Sequence, residues 1–185
     1  MPTILTHAAL PLALGIACGR RLVPTRLLLA GMGAAVLPDL DVLAFRFHVA
    51  YANAFGHRGF SHSLLFALVL GLLAAAAAPR WHLGRRGGGV FIGCAAMSHG
   101  LLDTLTNGGL GVALLWPWSA QRFFAPWQVI EVSPLSLGRL LGARGLAVIR
   151  SELLWVWLPA LLVGALALAL RRWRAATPAP SVAAD

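Results

Sequence analysis

Histidines and carboxylates recur along this chain in spacings that suit metal ligation. His99 and Asp103 stand four residues apart inside an apolar run, so on a helix they share one face about 6 Å apart. Asp39 and Asp41 flank Leu40 directly after Pro38, where a helix frays and both carboxylates can turn inward. His57 and His62 bracket Arg58, Gly59, Phe60 and Ser61, with Ser63 next. A helix start near Gly59 or Ser61 would let His62 project into a bundle. His7 follows Thr6 at the head of the first apolar run. Neutral imidazole combined with carboxylate suits zinc first, with manganese or iron(II) as alternatives. Cys18 and Cys94 each lie alone in apolar sequence and read as small buried hydrophobes, which excludes a thiolate site.

These groups need a scaffold, and composition says that its solvent is lipid. The 185 residues are 59% hydrophobic and only 11% charged, where a soluble domain carries about 25% charged residues. The net charge of +9 comes from fifteen arginines set in short clusters between apolar runs. That is the pattern of topology signals, and it excludes a nucleic-acid surface, which needs a continuous basic stripe. The expected fold is all-α: one polytopic helical bundle over residues 1–175, followed by a disordered tail over 176–185. Five apolar segments are expected, at Thr6–Gly19, Leu27–Phe45, Phe60–Ala78, Gly88–Leu105 and Leu153–Leu170. The first is shorter than the roughly 17 to 25 residues that a spanning helix needs. Between the last two, Trp116, Trp118, Phe123, Phe124 and Trp127 read as an interfacial aromatic belt. Pro134–Ser151 reads as an amphipathic helix lying in the interface.

Alternating spans put every candidate ligand at one face: His7, Asp39, Asp41, His57, His62, His99 and Asp103, with His48 and Glu131 beside them. The opposite face collects nine of the arginines, in clusters at Arg20 to Arg26, Arg80 to Arg86 and Arg171 to Arg174, which assigns that face and the C-terminus to the cytoplasm. Each residue alone has a plainer reading. His57 can be an interfacial polar group, Asp39 can bond backbone, and Arg58 can simply pair with Asp103. Clustering at one face is harder to explain that way, because intramembrane carboxylates usually mark function.

The ordered strings Thr6-His7, Pro38-Asp39-Leu40-Asp41, His57-Arg58-Gly59-Phe60-Ser61-His62-Ser63 and Ser98-His99-Gly100-Leu101-Leu102-Asp103 resemble the YdjM-type proteins of the bacterial inner membrane, a family of LexA-regulated, membrane-bound metal-dependent hydrolases. The resemblance covers roughly the first 110 residues. The His99 and Asp103 pair is also similar to the all-helical zinc phospholipase C and P1 nuclease fold, although the N-terminal tryptophan and downstream histidines of those enzymes are missing here. The resemblance implies a hydrolase using a divalent metal, with membrane lipid as partner and a lipid-like phosphoester or other ester as substrate. His62, His99, Asp103 and Asp39 are expected to ligate first, with His7, Asp41 and His57 as further ligands or a second site. Asp41 or Asp103 would accept a proton from water, and Arg58 would meet charge developing on a phosphoryl group. An ion or proton relay and a scaffold with a structural metal are the rival classes. In a background lacking Cys18 and Cys94, cysteines introduced at Ser61 or Ser119 are expected to label from the extracytoplasmic side. Labelling only from the cytoplasm would reverse the orientation.

Overall fold

A computed structural model describes residues 1–134 and 137–176, and the described residues are helical with no strand. The expected tail therefore lies outside them, except for Ala176. The helices are α1 (Ala9–Cys18), α2 (Thr25–Val36), α3 (Leu64–Ala77), α4 (Arg85–Thr104), α5 (Leu137–Leu140), α6 (Ala143–Glu152) and α7 (Leu158–Ala176). Two stretches are long and apolar enough to cross a membrane, Thr25–Phe47 and Ala143–Ala176; Thr6–Cys18 and Leu64–Arg80 are apolar but shorter. α4 has the length of a span, but arginines and glycines dilute its first turns.

α4 is the central post. It packs on α3 and α2, while α1 packs on α2 and α7. Small residues allow the close α3–α4 approach: a Cβ on Gly89 would stand 2.8 Å from the Gly71 carbonyl oxygen. Close backbone packing of this kind takes the place of the hydrophobic force that lipid removes. The bundle buries two apolar clusters and, at one end, a set of ionisable groups, and it leaves many large apolar side chains outside. Leu68, Leu72, Leu161, Leu162 and Leu166 are exposed, while His7, Arg58, His99 and Asp103 are fully buried.

Two of the departures from regular α-helix at prolines shape the site and the last span. Pro38 cannot donate a backbone hydrogen bond, and from Leu37 to Phe47 the chain runs as a 3₁₀ helix. Eleven residues is long for that geometry, a length associated with functional constraint. At 120° per residue, Asp39 and Asp41 leave the axis in different directions. Pro159 lies just past a π-helical turn at Leu153–Trp157, which accommodates its ring and the carbonyl it cannot serve. α6 therefore continues into α7 as one 34-residue helix. This corrects the expected separation of an interfacial helix from the last span. Part of the expected Pro134–Ser151 helix, residues 135 and 136, lies outside the described residues.

The chain from Thr106 to Ser133 folds over the ligand-bearing end. Val112 and Ile130 are fully buried there, while Trp118 and Trp127 are three-quarters exposed. Arg122 stitches it down, donating to the carbonyls of His57, Arg58, Gly111, Tyr51 and Asn53. Ser61 is buried, so Ser119 is the usable position for labelling. Cys18 is exposed on the bundle surface and Cys94 half-buried, both unpaired. Gly100 sets the distance between α4 and the 3₁₀ turn Phe60–His62, since a Cβ would lie 2.6 Å from the His62 carbonyl oxygen. Gly100→Val is expected to destabilise the protein by about 1–3 kcal/mol through overpacking, read as a lower melting temperature in detergent. An unchanged melting temperature would refute this packing constraint.

Candidate metal centre

Four elements deliver one cluster. The 3₁₀ turn Thr6–Ala8 carries His7, the 3₁₀ helix after α2 carries Asp39 and Asp41, the turn before α3 carries His62, and α4 carries His99 and Asp103. One ligand atom from each of Asp39, His62, His99 and Asp103 lies within 4.8 Å of the others, and all four residues are buried.

The tautomers can be read from the partners. His99 Nδ1 lies 2.7 Å from the Ala35 carbonyl oxygen. A carbonyl only accepts, so the proton sits on Nδ1. Ser61 Oγ donates to Asp41 Oδ2 at 2.8 Å and stands 3.0 Å from His62 Nδ1. Its one proton is already committed, so His62 Nδ1 carries its own proton and donates. Asp41 Oδ2, 3.2 Å from the same nitrogen, reinforces that assignment. With the proton on Nδ1, each ring in its neutral form turns an unprotonated Nε2 inward, and the two Nε2 atoms lie 2.9 Å apart. Two lone pairs in that position repel unless a cation lies between them.

The surrounding oxygens call for the same ion. Asp39 Oδ1 is 3.5 Å from His99 Nε2 and 3.9 Å from His62 Nε2, and Asp103 Oδ2 is 3.4 Å from His62 Nε2. Neither oxygen of Asp39 accepts a hydrogen bond. A proton shared between the rings would settle only the nitrogen pair. A divalent ion also satisfies the carboxylates, and two imidazoles with two carboxylates are a donor set that zinc, manganese or iron(II) accepts. The residues fit a metal.

The remaining candidates divide. His7 stacks on His99 with ring centroids 3.7 Å apart. Its Nε2 lies 3.7 Å from Asp39 and 3.6 Å from Asp103, and neither of its nitrogens makes a hydrogen bond. Asp41 and His57 form a second group with His62, but it is already hydrogen-bonded. Asp41 accepts from His57 Nδ1 at 2.6 Å, from the Arg58 amide at 3.1 Å and from Ser61. It holds the His62 ring by its far nitrogen, the arrangement in which a carboxylate orients a ligating histidine. Arg58, expected to meet substrate charge, is instead fully buried. Its Nε pairs with Asp103 Oδ2 at 2.9 Å, and its other nitrogens donate to Gly108 and Thr106. Its φ of 61° is unfavourable for a side chain of this size and typical of strain held at functional sites. Burial pushes the Met1 amino group, 3.9 Å from Asp103, down to about 6 against the pull of that carboxylate. His48 and Glu131 are not in the cluster: His48 is exposed and Glu131 pairs with Arg144 at 2.8 Å.

Sequence reasoning missed Glu152. Its buried carboxylate accepts from the Thr3 amide, from Thr3 Oγ1 at 2.6 Å and from Thr6 Oγ1 at 2.7 Å, tying the last long helix to the turn that carries His7. An acidic residue just before the final apolar run was the available signal. Ser61 was visible only as part of a string; the proton count gives it a function.

Fold and site together define an all-helical membrane protein with a buried histidine–carboxylate cluster able to bind a metal ion. The chain belongs to the YdjM inner membrane protein family, which it matches over residues 1–176. It is similar to inner membrane protein YbcI of Escherichia coli (strain K12), at 54% identity over 164 residues, covering 88% of this chain and 95% of that protein. No solved structure matches the chain. These names give a place, the inner membrane, and no activity.

Metal analysis of the purified protein should find a bound divalent ion that disappears in His99→Ala and in Asp39→Ala. Asp41→Asn should keep the stoichiometry while weakening affinity about 10- to 100-fold, the usual effect of losing a partner that orients a ligand; competition with a chromophoric chelator measures it. Unchanged affinity would remove Asp41 from this role.

Proposed function

We propose that this chain is a membrane-bound metal-dependent hydrolase acting on a lipid-like phosphoester or another ester at the extracytoplasmic face. The observation that carries the reading is the close approach of the His62 and His99 Nε2 atoms, 2.9 Å apart, beside the unsatisfied oxygens of Asp39. Asp39, His62, His99 and Asp103 would hold the ion, zinc first among the candidates. When bound, it supplies a water acidic enough to react near neutral pH and a positive charge for a phosphoryl or acyl oxygen. The chain's own residues do the rest. Asp41 and the Ala35 carbonyl fix the two imidazoles. Arg58 holds Asp103 in place. His7 is the one imidazole of the cluster whose tautomer nothing pins, so its Nε2 is the atom best placed to take a proton between Asp39 and Asp103. Asp41, with its lone pairs committed to donors, is a positioning group.

Five crossings fit this reading: the apolar helices at Thr6–Cys18, Thr25–Phe47 and Leu64–Arg80, then α4, then Ala143–Ala176. The arginine bias favours the cytoplasm for the face opposite the cluster. An ion with only a structural role is the second reading, favoured by the near-complete burial of the four ligands.

Turnover separates the two. Zinc-loaded protein in mixed micelles is expected to hydrolyse a panel of phosphatidic acid, short-chain phospholipids and p-nitrophenyl esters, with activity lost on chelation. His7→Gln should lower kcat by about 100-fold or more, the usual scale of one proton-transfer group, while metal content is retained. A metal-loaded, folded protein inert on the whole panel would favour the structural ion.

A further inference from the structure

The face of α3 and α4 away from α2 carries a cavity of about 530 Å³ that takes no part in the metal cluster. Its floor is made by Gly71, Gly89 and Gly93, and its walls include Leu68, Leu72 and Val90, which point out of the bundle and are more than half exposed. The lining is apolar except at one end, where Arg85 and Arg86 open the first turn of α4. Both arginines are exposed and, among the described residues, have no hydrogen bond or ion pair, unlike Arg58, Arg122, Arg144 and Arg171. From Leu64 to Ala75 the groove runs about 17 Å along α3 at 1.5 Å per residue. One leaflet of the hydrocarbon core is about 15 Å deep, half of roughly 30 Å.

We propose that this groove is a binding site for one anionic phospholipid, its phosphate between Arg85 and Arg86 and an acyl chain laid over the glycines. Two features select this occupant. An apolar channel about one leaflet long matches an acyl chain. Two unpartnered guanidiniums at the interfacial end match a phosphate diester, which they can engage bidentately. The lipid lies in the leaflet on the arginine-rich side, at the far end of α4 from His99 and Asp103. The site thus stands or falls independently of the hydrolase reading: it binds lipid without consuming it.

Native mass spectrometry of the full chain, released from micelles containing either dioleoyl phosphatidylglycerol or dioleoyl phosphatidylcholine, tests it. One phosphatidylglycerol is expected to stay bound under activation that strips phosphatidylcholine. Its occupancy should fall at least tenfold in Arg85→Gln/Arg86→Gln, and equally in Val90→Trp, which adds an indole to the groove wall. Elution position and melting temperature report on folding, and Leu68→Trp replaces Val90→Trp if the latter is unstable. Equal retention of the two lipids would overturn the proposal, as would phosphatidylglycerol binding that neither kind of variant reduces. A lipid-free dimer that Val90→Trp dissociates would assign the groove to a second copy of the chain instead.

Discussion

Two imidazole nitrogens without protons cannot rest 2.9 Å apart in a dry interior unless positive charge lies between them. The structure is arranged around meeting that condition at His62 and His99. The outer nitrogen of each ring is committed elsewhere, His99 to the Ala35 carbonyl and His62 to the Ser61–Asp41 pair. Neither ring can relieve the contact by changing tautomer without breaking a buried hydrogen bond, which costs about 1–3 kcal/mol. Asp39 sits against the same point with both oxygens unsatisfied. In an environment where unpaired carboxylates cost several kcal/mol, apolar substitutes would be the stable choice. The presence of the carboxylates makes the cluster a candidate place for an ion.

The scaffold follows from holding that point rigid. α4 supplies two of the ligands from successive turns of a regular helix, and its neighbours are shaped to bring the others to it. The 3₁₀ geometry after Pro38 separates two carboxylates by direction, so that Asp39 faces the ring nitrogens and Asp41 supports the His62 ring from behind. Arg58 adopts a left-handed backbone, so its amide meets Asp41 while its side chain meets Asp103. One strained residue thus links the supporting carboxylate to a ligating one. Glu152 fastens the N-terminal turn, and with it His7, to the final helix. The apolar exterior needs no comparable precision, because lipid tolerates any packing of leucines.

The ligand-bearing positions were legible because burying a histidine or an aspartate in an apolar run needs a reason, and the reasons converged on one end of the bundle. The helical spacing of His99 and Asp103 gave their common face. The division of labour was legible only in part. The pairing of Arg58 with Asp103 stood in the sequence as the plainer of two readings, and the structure selects it, with the remaining guanidinium nitrogens held by Gly108 and Thr106 some fifty positions away. Asp41 read as a ligand or base, since only the proton count at Ser61 shows its lone pairs to be taken. The expected last span, Leu153–Leu170, already ran through Pro159; what escaped detection was its fusion with the helix before it, because the π turn at Leu153–Trp157 that joins them leaves no mark in the sequence. Glu152 went unnoticed because its partners, Thr3 and Thr6, lie at the other end of the chain.

X-ray absorption at the zinc edge of the metal-loaded protein tests the central claim most directly. The expected spectrum has two imidazole nitrogens at about 2.0–2.1 Å, with the outer-ring scattering typical of histidine, and carboxylate oxygens at about 2.0–2.2 Å. A spectrum with oxygen scatterers alone, or a protein that holds no metal while a single proton is shared between His62 Nε2 and His99 Nε2, would contradict it.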